Sequence, residues 1–151
     1  TQTTLSVDDT REIMQVLSRR FPHMRVPAKD DICYATQNRQ NAVKAVAQRV
    51  DLVIVVGAPT SSNSNRLVEV ARAAGAHAEL VESVDQIDPA WLGGRRGVGV
   101  TAGASTPADL VQQVIERLAE LGCGAAEEIT LAEERMVFAL PSELKRDAAS
   151  P

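Results

Sequence analysis

Aromatic residues make up only 3% of this chain, with one Trp, one Tyr and two Phe. A surface that grips single-stranded nucleic acid by stacking needs more. Positive charge is short as well: 16 Lys and Arg stand against 20 Asp and Glu, a formal charge of −4. That balance excludes a coat for a phosphate backbone. A small anionic ligand is not excluded, because a helix terminus outweighs net charge at contact distance. The two cysteines, Cys33 and Cys123, share no C-x-x-C pair. Such sparse use fits a reducing, cytoplasmic setting and not a disulfide scaffold. No run approaches the roughly 18 apolar residues of a membrane helix, and the first residues do not read as a secretory leader. The chain opens on Thr1 rather than Met, as an excised segment or a chain trimmed of its initiator would.

What remains, 44% apolar and 24% charged over 151 residues, suffices for one core, or for one domain with a piece of its neighbour. Residues 1–5 are β-prone. Ser6 then reads as an N-cap with Asp9 in capping-box position, opening a helix that carries Ile13, Met14, Val16 and Leu17 and stops near Phe21. A Pro-containing connector follows. A new unit begins at Asp31, with Cys33 at the start of a helix that carries Ala42, Val43, Val46, Ala47 and Val50 at helical spacing. The run LVIVV at 52–56 has the pattern of a parallel strand buried on both faces. A helix follows, its pattern clearest over 64–74 and stopped by Gly75. Then come a weaker strand at 77–82, turns at 83–92 with Trp91 as a packing anchor, and a strand at 97–101. Thr106, Pro107 and Asp109 suit the N-cap, N1 and N3 of a last helix ending at Gly122. Two short strands, 129–131 and 136–140, are expected in the tail. Strands alternating with helices imply an α/β fold: an open, mostly parallel sheet with helices on both faces.

In such a sheet, ligands collect at the carboxyl ends of the strands. Two loops leave such ends: GAPTSSNSNR at 57–66 and TAGAST at 101–106. If their strands are neighbours, Ser61, Ser62, Asn63 and Ser105 can converge on one polar pocket. Backbone N–H groups and the helix dipole would make a phosphate the natural guest. Gly57, Ala58, Gly103 and Ala104 would let backbone approach it closely. A helix cap with a solvated turn explains the same residues equally well. Neither loop is a P-loop or a G-x-G-x-x-G fingerprint. Cys33 at a helix start suits a thiolate, although a lone cysteine is more often an inert core residue. Cys123, just past a helix end, receives no role. His23 and His77 read as surface histidines.

Four motifs then stand together: TQTTLS at 1–6, DICYATQNRQ at 31–40, SSNSNRL at 61–67 and GVTAGAS at 99–105. In this order and spacing they closely resemble the carboxyl-terminal half of the LytB-type 4-hydroxy-3-methylbut-2-enyl diphosphate reductases, over nearly the whole chain. The resemblance implies three α/β domains of similar build around a 4Fe–4S cluster held by one cysteine from each domain. Cys33 matches the third of these, which turns the lone-cysteine reading into that of a cluster ligand. Ser61, Ser62, Asn63 and Ser105 match residues that bind the substrate diphosphate. Thr3 matches a threonine beside the substrate hydroxyl and its proton-delivery network. The implied reaction is reductive loss of an allylic hydroxyl, giving isopentenyl and dimethylallyl diphosphates, with electrons from a donor such as ferredoxin or flavodoxin.

On that footing residues 1–29 are the terminal strand and helix of a preceding domain plus a linker. Residues 30–125 are the complete diphosphate-binding domain, and 126–151 are a tail. The family's other two cluster cysteines, its catalytic glutamate and its diphosphate-binding histidines have no counterpart here. The chain alone is therefore expected neither to hold the cluster stably nor to turn over without the amino-terminal half. A free-standing module that binds a phosphorylated metabolite without chemistry is the second reading. A self-associating interaction piece is the third.

Overall fold

Five consecutive apolar residues form β1 (Leu52–Val56), and all five are buried. A strand covered on both faces has no polar side to alternate with. The computed structural model describes residues 6–25 and 34–130, and β1 is the centre of its sheet. The sheet has three parallel strands in the order β2-β1-β3, with β2 at His77–Val81 and β3 at Val98–Ala102. Val56 pairs with Val81 on one side and Ala102 on the other, so the three carboxyl ends are level.

The two faces divide by parity. Val53 and Val55 pack with Val43 and Ala47 of helix α2 (Tyr34–Ala47) and Leu67 and Ala71 of α3 (Ser62–Ala73). Leu52, Ile54 and Val56 pack on the other face with Val114 and Leu118 of α4 (Ala108–Glu120). Ile87 and Trp91, from the short 3-10 segments at 83–92, complete that layer, so Trp91 is the expected anchor. β3 carries a glycine at its second position, and the fold explains why. A Cβ on Gly99 would overlap the Val46 side chain and lie 3.3 Å from Val50, so the bare backbone lets α2 close on the sheet. Gly75 and Gly122 end α3 and α4 at φ +98° and +94°. In each case the following N–H bonds back five residues, Ala76 to Ala71 O and Cys123 to Leu118 O. Both are Schellman ends, for which an L side chain is poorly suited. Cys123 is the residue after the second, half-buried against the α4 layer, which accounts for it structurally.

The first helix, α1 (Val7–Arg20), is capped as expected: the Ser6 hydroxyl accepts from the N–H groups of Asp8 and Asp9. Yet none of its residues is buried, and Ile13, Val16 and Phe21 are more than half exposed. Polar contacts attach it. Val7 N–H donates to Gln40 Oε1, Lys44 pairs with Asp8, and Arg66 pairs with Asp9. A groove of about 510 Å³ runs between α1 and the α2–α3 pair, lined by these same charges.

Some expectations need correction. β3 starts and ends one residue later than the pattern suggested, and α3 begins at Ser62. Thr106 is not the N-cap of α4; Pro107 holds that position with no side-chain capping bond. Ile129 and Thr130 are not in a strand. The remainder of the two tail strands lies outside the described residues, as do Thr3, Cys33 and the rest of the 26–33 segment between α1 and α2. None of the described helices is long and apolar enough to cross a membrane.

At the opposite end of the sheet, Asp51 ties β1 to the approach to β3. Its carboxylate accepts from the Arg96 N–H at 2.7 Å and from the Arg96 guanidinium at 3.1 Å. The guanidinium bond, then the backbone bond, hold its pKa below the ordinary aspartate value. The folded chain therefore binds this proton less readily than the unfolded one, and stability rises with pH through this group. Its contribution should be complete above about pH 4 and fade as the pH falls through the lower, folded value. In urea unfolding across pH 2–6, Asp51→Asn should flatten that part of the stability curve; an unchanged slope would mean that the pair contributes nothing.

Candidate functional site

β1 and β3 are adjacent, but the helices that follow them leave for opposite faces, α3 to one and α4 to the other. The chain diverges from two neighbouring strand ends, the position at which open α/β sheets receive their ligands. The condition set by the sequence, that the two strands be neighbours, is met.

The 57–61 loop is fixed by its own backbone and by Asn65. Gly57 N–H reaches Val81 O at 2.9 Å, and Ser61 N–H reaches Ala58 O at 2.9 Å. The Asn65 amide donates to the carbonyls of Pro59, at 2.7 Å, and Ser61, at 3.0 Å. Ser61 is the N-cap of α3, its hydroxyl oxygen accepting from Ser64 N–H at 3.3 Å. Capping therefore does explain Ser61, but an accepting hydroxyl keeps its own proton to give elsewhere. The N–H groups of Ser62 and Asn63 in the first turn have no partner among the described residues, as helix geometry dictates.

Asn63 does not fit the capping explanation. Its side-chain amide nitrogen is buried and, among the described residues, is the buried side-chain polar atom left without a hydrogen-bond partner. Such a group costs about 1–3 kcal/mol unless something satisfies it. It stands beside free N–H groups at the positive end of a helix dipole, where an anion supplies what is missing.

The second loop is braced against the first. Val56 O accepts both Gly103 N–H and the Thr106 hydroxyl, each at 2.9 Å, and Thr106 N–H closes a turn on Gly103 O at 3.1 Å. Thr106 thus ties this turn to β1 instead of capping α4. Ser105 is exposed within the turn, and Ser62 is exposed across from it on α3. Arg39, from α2, donates to Ala102 O at 3.2 Å, placing a full positive charge at the rim. Nothing in the spacing marked Arg39; only the packing of α2 on β3 brings it here.

Gly57 and Gly103 have a packing role. A Cβ on either would run into the Ser64 hydroxyl. Their bareness makes room for Ser64. His23 and His77 are exposed and away from these loops, as expected. Among the described residues no three His, Cys, Asp or Glu side chains gather as metal ligands.

Comparison with known proteins bears on this arrangement. The family model described as LytB protein matches residues 1–119. The 4-hydroxy-3-methylbut-2-enyl diphosphate reductase of Stenotrophomonas maltophilia (strain K279a) is 59% identical over 145 residues, which are 96% of this chain and 46% of that protein. The reductase of the same name from Xanthomonas axonopodis pv. citri is 56% identical over the same share of each. Among solved structures, the E-1-hydroxy-2-methyl-but-2-enyl-4-diphosphate reductase from Plasmodium falciparum superposes with a TM-score of 0.86 at 33% identity, covering 98% of this chain and 47% of that one. The chain thus spans about half the length of the curated relatives it matches.

Gly57 lies 3.0 Å, measured from an added Cβ, from the Ser64 Cβ as well as against its hydroxyl, and a Cβ cannot rotate away. Gly57→Ala should therefore lower the unfolding free energy by about 1–3 kcal/mol. The check is a urea midpoint that falls with an unchanged m-value; an unmoved midpoint would show that α3 shifts freely.

Proposed function

The chain belongs to the LytB protein family, and from that premise we propose that it is the diphosphate-binding part of a 4-hydroxy-3-methylbut-2-enyl diphosphate reductase. The single observation that carries the site assignment is the unsatisfied, buried amide of Asn63 at the start of α3. In this reading the diphosphate lies in the crevice between the β1 and β3 ends. Asn63 donates through its amide, Ser62 and Asn63 through their N–H groups, and Ser61 and Ser105 through their hydroxyl protons. These donors are neutral, so the α3 dipole and Arg39 supply the positive potential that a multiply charged ligand requires. Fixed donors hold the ligand's tail without reorganising, so its carbon end is presented in one place.

The reaction adds two electrons and two protons, breaks the allylic C–O bond and releases water. A small carrier such as ferredoxin or flavodoxin would supply the electrons. Thr3, beside the departing hydroxyl, would help to deliver a proton. A cluster held by thiolates would supply the redox chemistry when bound. The described residues do not form such a site, and Cys123 belongs to a helix end. Cys33 would be this chain's one ligand, with the others coming from the remaining length that the relatives possess.

The same premise assigns α1 to the preceding domain, with residues 30–125 as the diphosphate-binding domain. The support is that α1 buries none of its residues and leaves Ile13, Val16 and Phe21 uncovered, which is unusual for a helix inside its own domain.

The test uses the complete polypeptide, this chain together with the rest of its relatives' length. Asn63→Ala should raise KM for the diphosphate roughly ten- to 100-fold, the cost of a hydrogen bond to a charged group, with iron content unchanged. Cys33→Ser should lower iron content and visible absorbance. An unchanged KM would remove Asn63 from the site, and equal iron in both forms would remove Cys33 from the ligand set.

A further inference from the structure

Ser64 has no place among the ligand donors above, yet its side chain is only 1% exposed and stands where the two loops meet. Gly57 ends β1 and Gly103 ends β3, and a Cβ on either would collide with the same hydroxyl. The Ser64 side chain therefore fills the gap between the two strand ends, reaching in from the first turn of α3. Its neighbour in sequence is Asn63, and two residues beyond Gly103 is Ser105. Whatever fixes Ser64 against both glycines fixes the spacing of those two donors.

We propose that Ser64 is a positioning residue: its side chain sets the separation of the 57–61 and 103–106 loops, and so the width of the diphosphate crevice. The proposal rests on the diphosphate reading above and extends it to a residue that need not touch the ligand. The Thr106 hydroxyl, bonded to Val56 O, closes the same gap from the far side, so the spacer works against a braced partner and not a free loop. Interiors at native density do not absorb a methyl group without displacement.

The contacts are unequal, and the inequality supplies a test. A Cβ at 103 would sit 3.7 Å from the Ser64 Cβ, an ordinary contact, and 3.2 Å from Thr106 Oγ1. Its main conflict is with the Ser64 hydroxyl, which Ser64→Ala removes. A Cβ at 57 would also meet the Ser64 Cβ at 3.0 Å, which Ser64→Ala keeps. Ser64→Ala should therefore rescue Gly103→Ala well and Gly57→Ala poorly, a coupling read from double-mutant cycles.

The experiment takes the complete polypeptide, this chain together with the rest of its relatives' length, and inorganic pyrophosphate. Urea unfolding and calorimetric titration are run on the wild type, Ser64→Ala, Gly103→Ala and Gly57→Ala, and on each glycine variant combined with Ser64→Ala. Gly103→Ala should lower the urea midpoint, and adding Ser64→Ala should restore most of it. Ser64→Ala alone should weaken pyrophosphate on the order of tenfold while moving the midpoint little, a split that a purely structural role would not give. Absence of the 64–103 coupling, or unchanged affinity in Ser64→Ala, would overturn the spacer while leaving the diphosphate reading intact. Failure of the wild type to bind pyrophosphate, with the coupling present, would instead sink the diphosphate reading at these loops and the positioning role with it.

Discussion

Burial of β1 on both faces is the constraint from which the site descends. A strand with no polar side must lie between two layers, and its flanking strands must then be parallel neighbours on either hand. Once α3 takes one layer and α4 the other, the ends of β1 and β3 must part. The crevice is thus a by-product of covering five apolar residues.

Within that crevice the distribution of hydrogen bonds separates structure from binding. Asn65 and Thr106 spend their side chains on the protein itself, as staple and brace, and Ser61 spends only its acceptor oxygen, as cap. Val56 O uses both of its acceptor directions to hold the second loop. Against so complete a set of internal bonds, the idle amide of Asn63 stands out. That amide is the observation on which the proposed diphosphate site rests.

Much of this was legible in the sequence, and the misses share a cause. LVIVV, the helical spacing before it and the glycine stops at Gly75 and Gly122 are local signals, and each marked its element. The place of Ser61 and Asn63 at the start of α3 was legible because a polar run after a strand marks a helix start. Thr106 was misread because N-cap preference is local, whereas its partner, Val56 O, belongs to a strand far away in sequence. The packing role of Gly57 and Gly103 was hidden for the same reason: what each makes room for is a side chain on another element. Ser64 and Arg39 carried no signal of their own, since their significance exists only after α3 and α2 dock on the sheet. Thr3 and Cys33 were singled out by likeness to a family, and they lie outside the described residues.

The attachment of α1 differs in kind from every other contact in the fold. Where the sheet and its helices interlock through side-chain volume, α1 is moored through Asp8 to Lys44 and through Asp9 to Arg66, with Ile13 and Val16 exposed. Ion pairs at a wet surface are each worth about 0–1 kcal/mol and weaken as counter-ions accumulate. Added electrolyte therefore loosens these two pairs before it disturbs the apolar packing that holds the sheet to its helices.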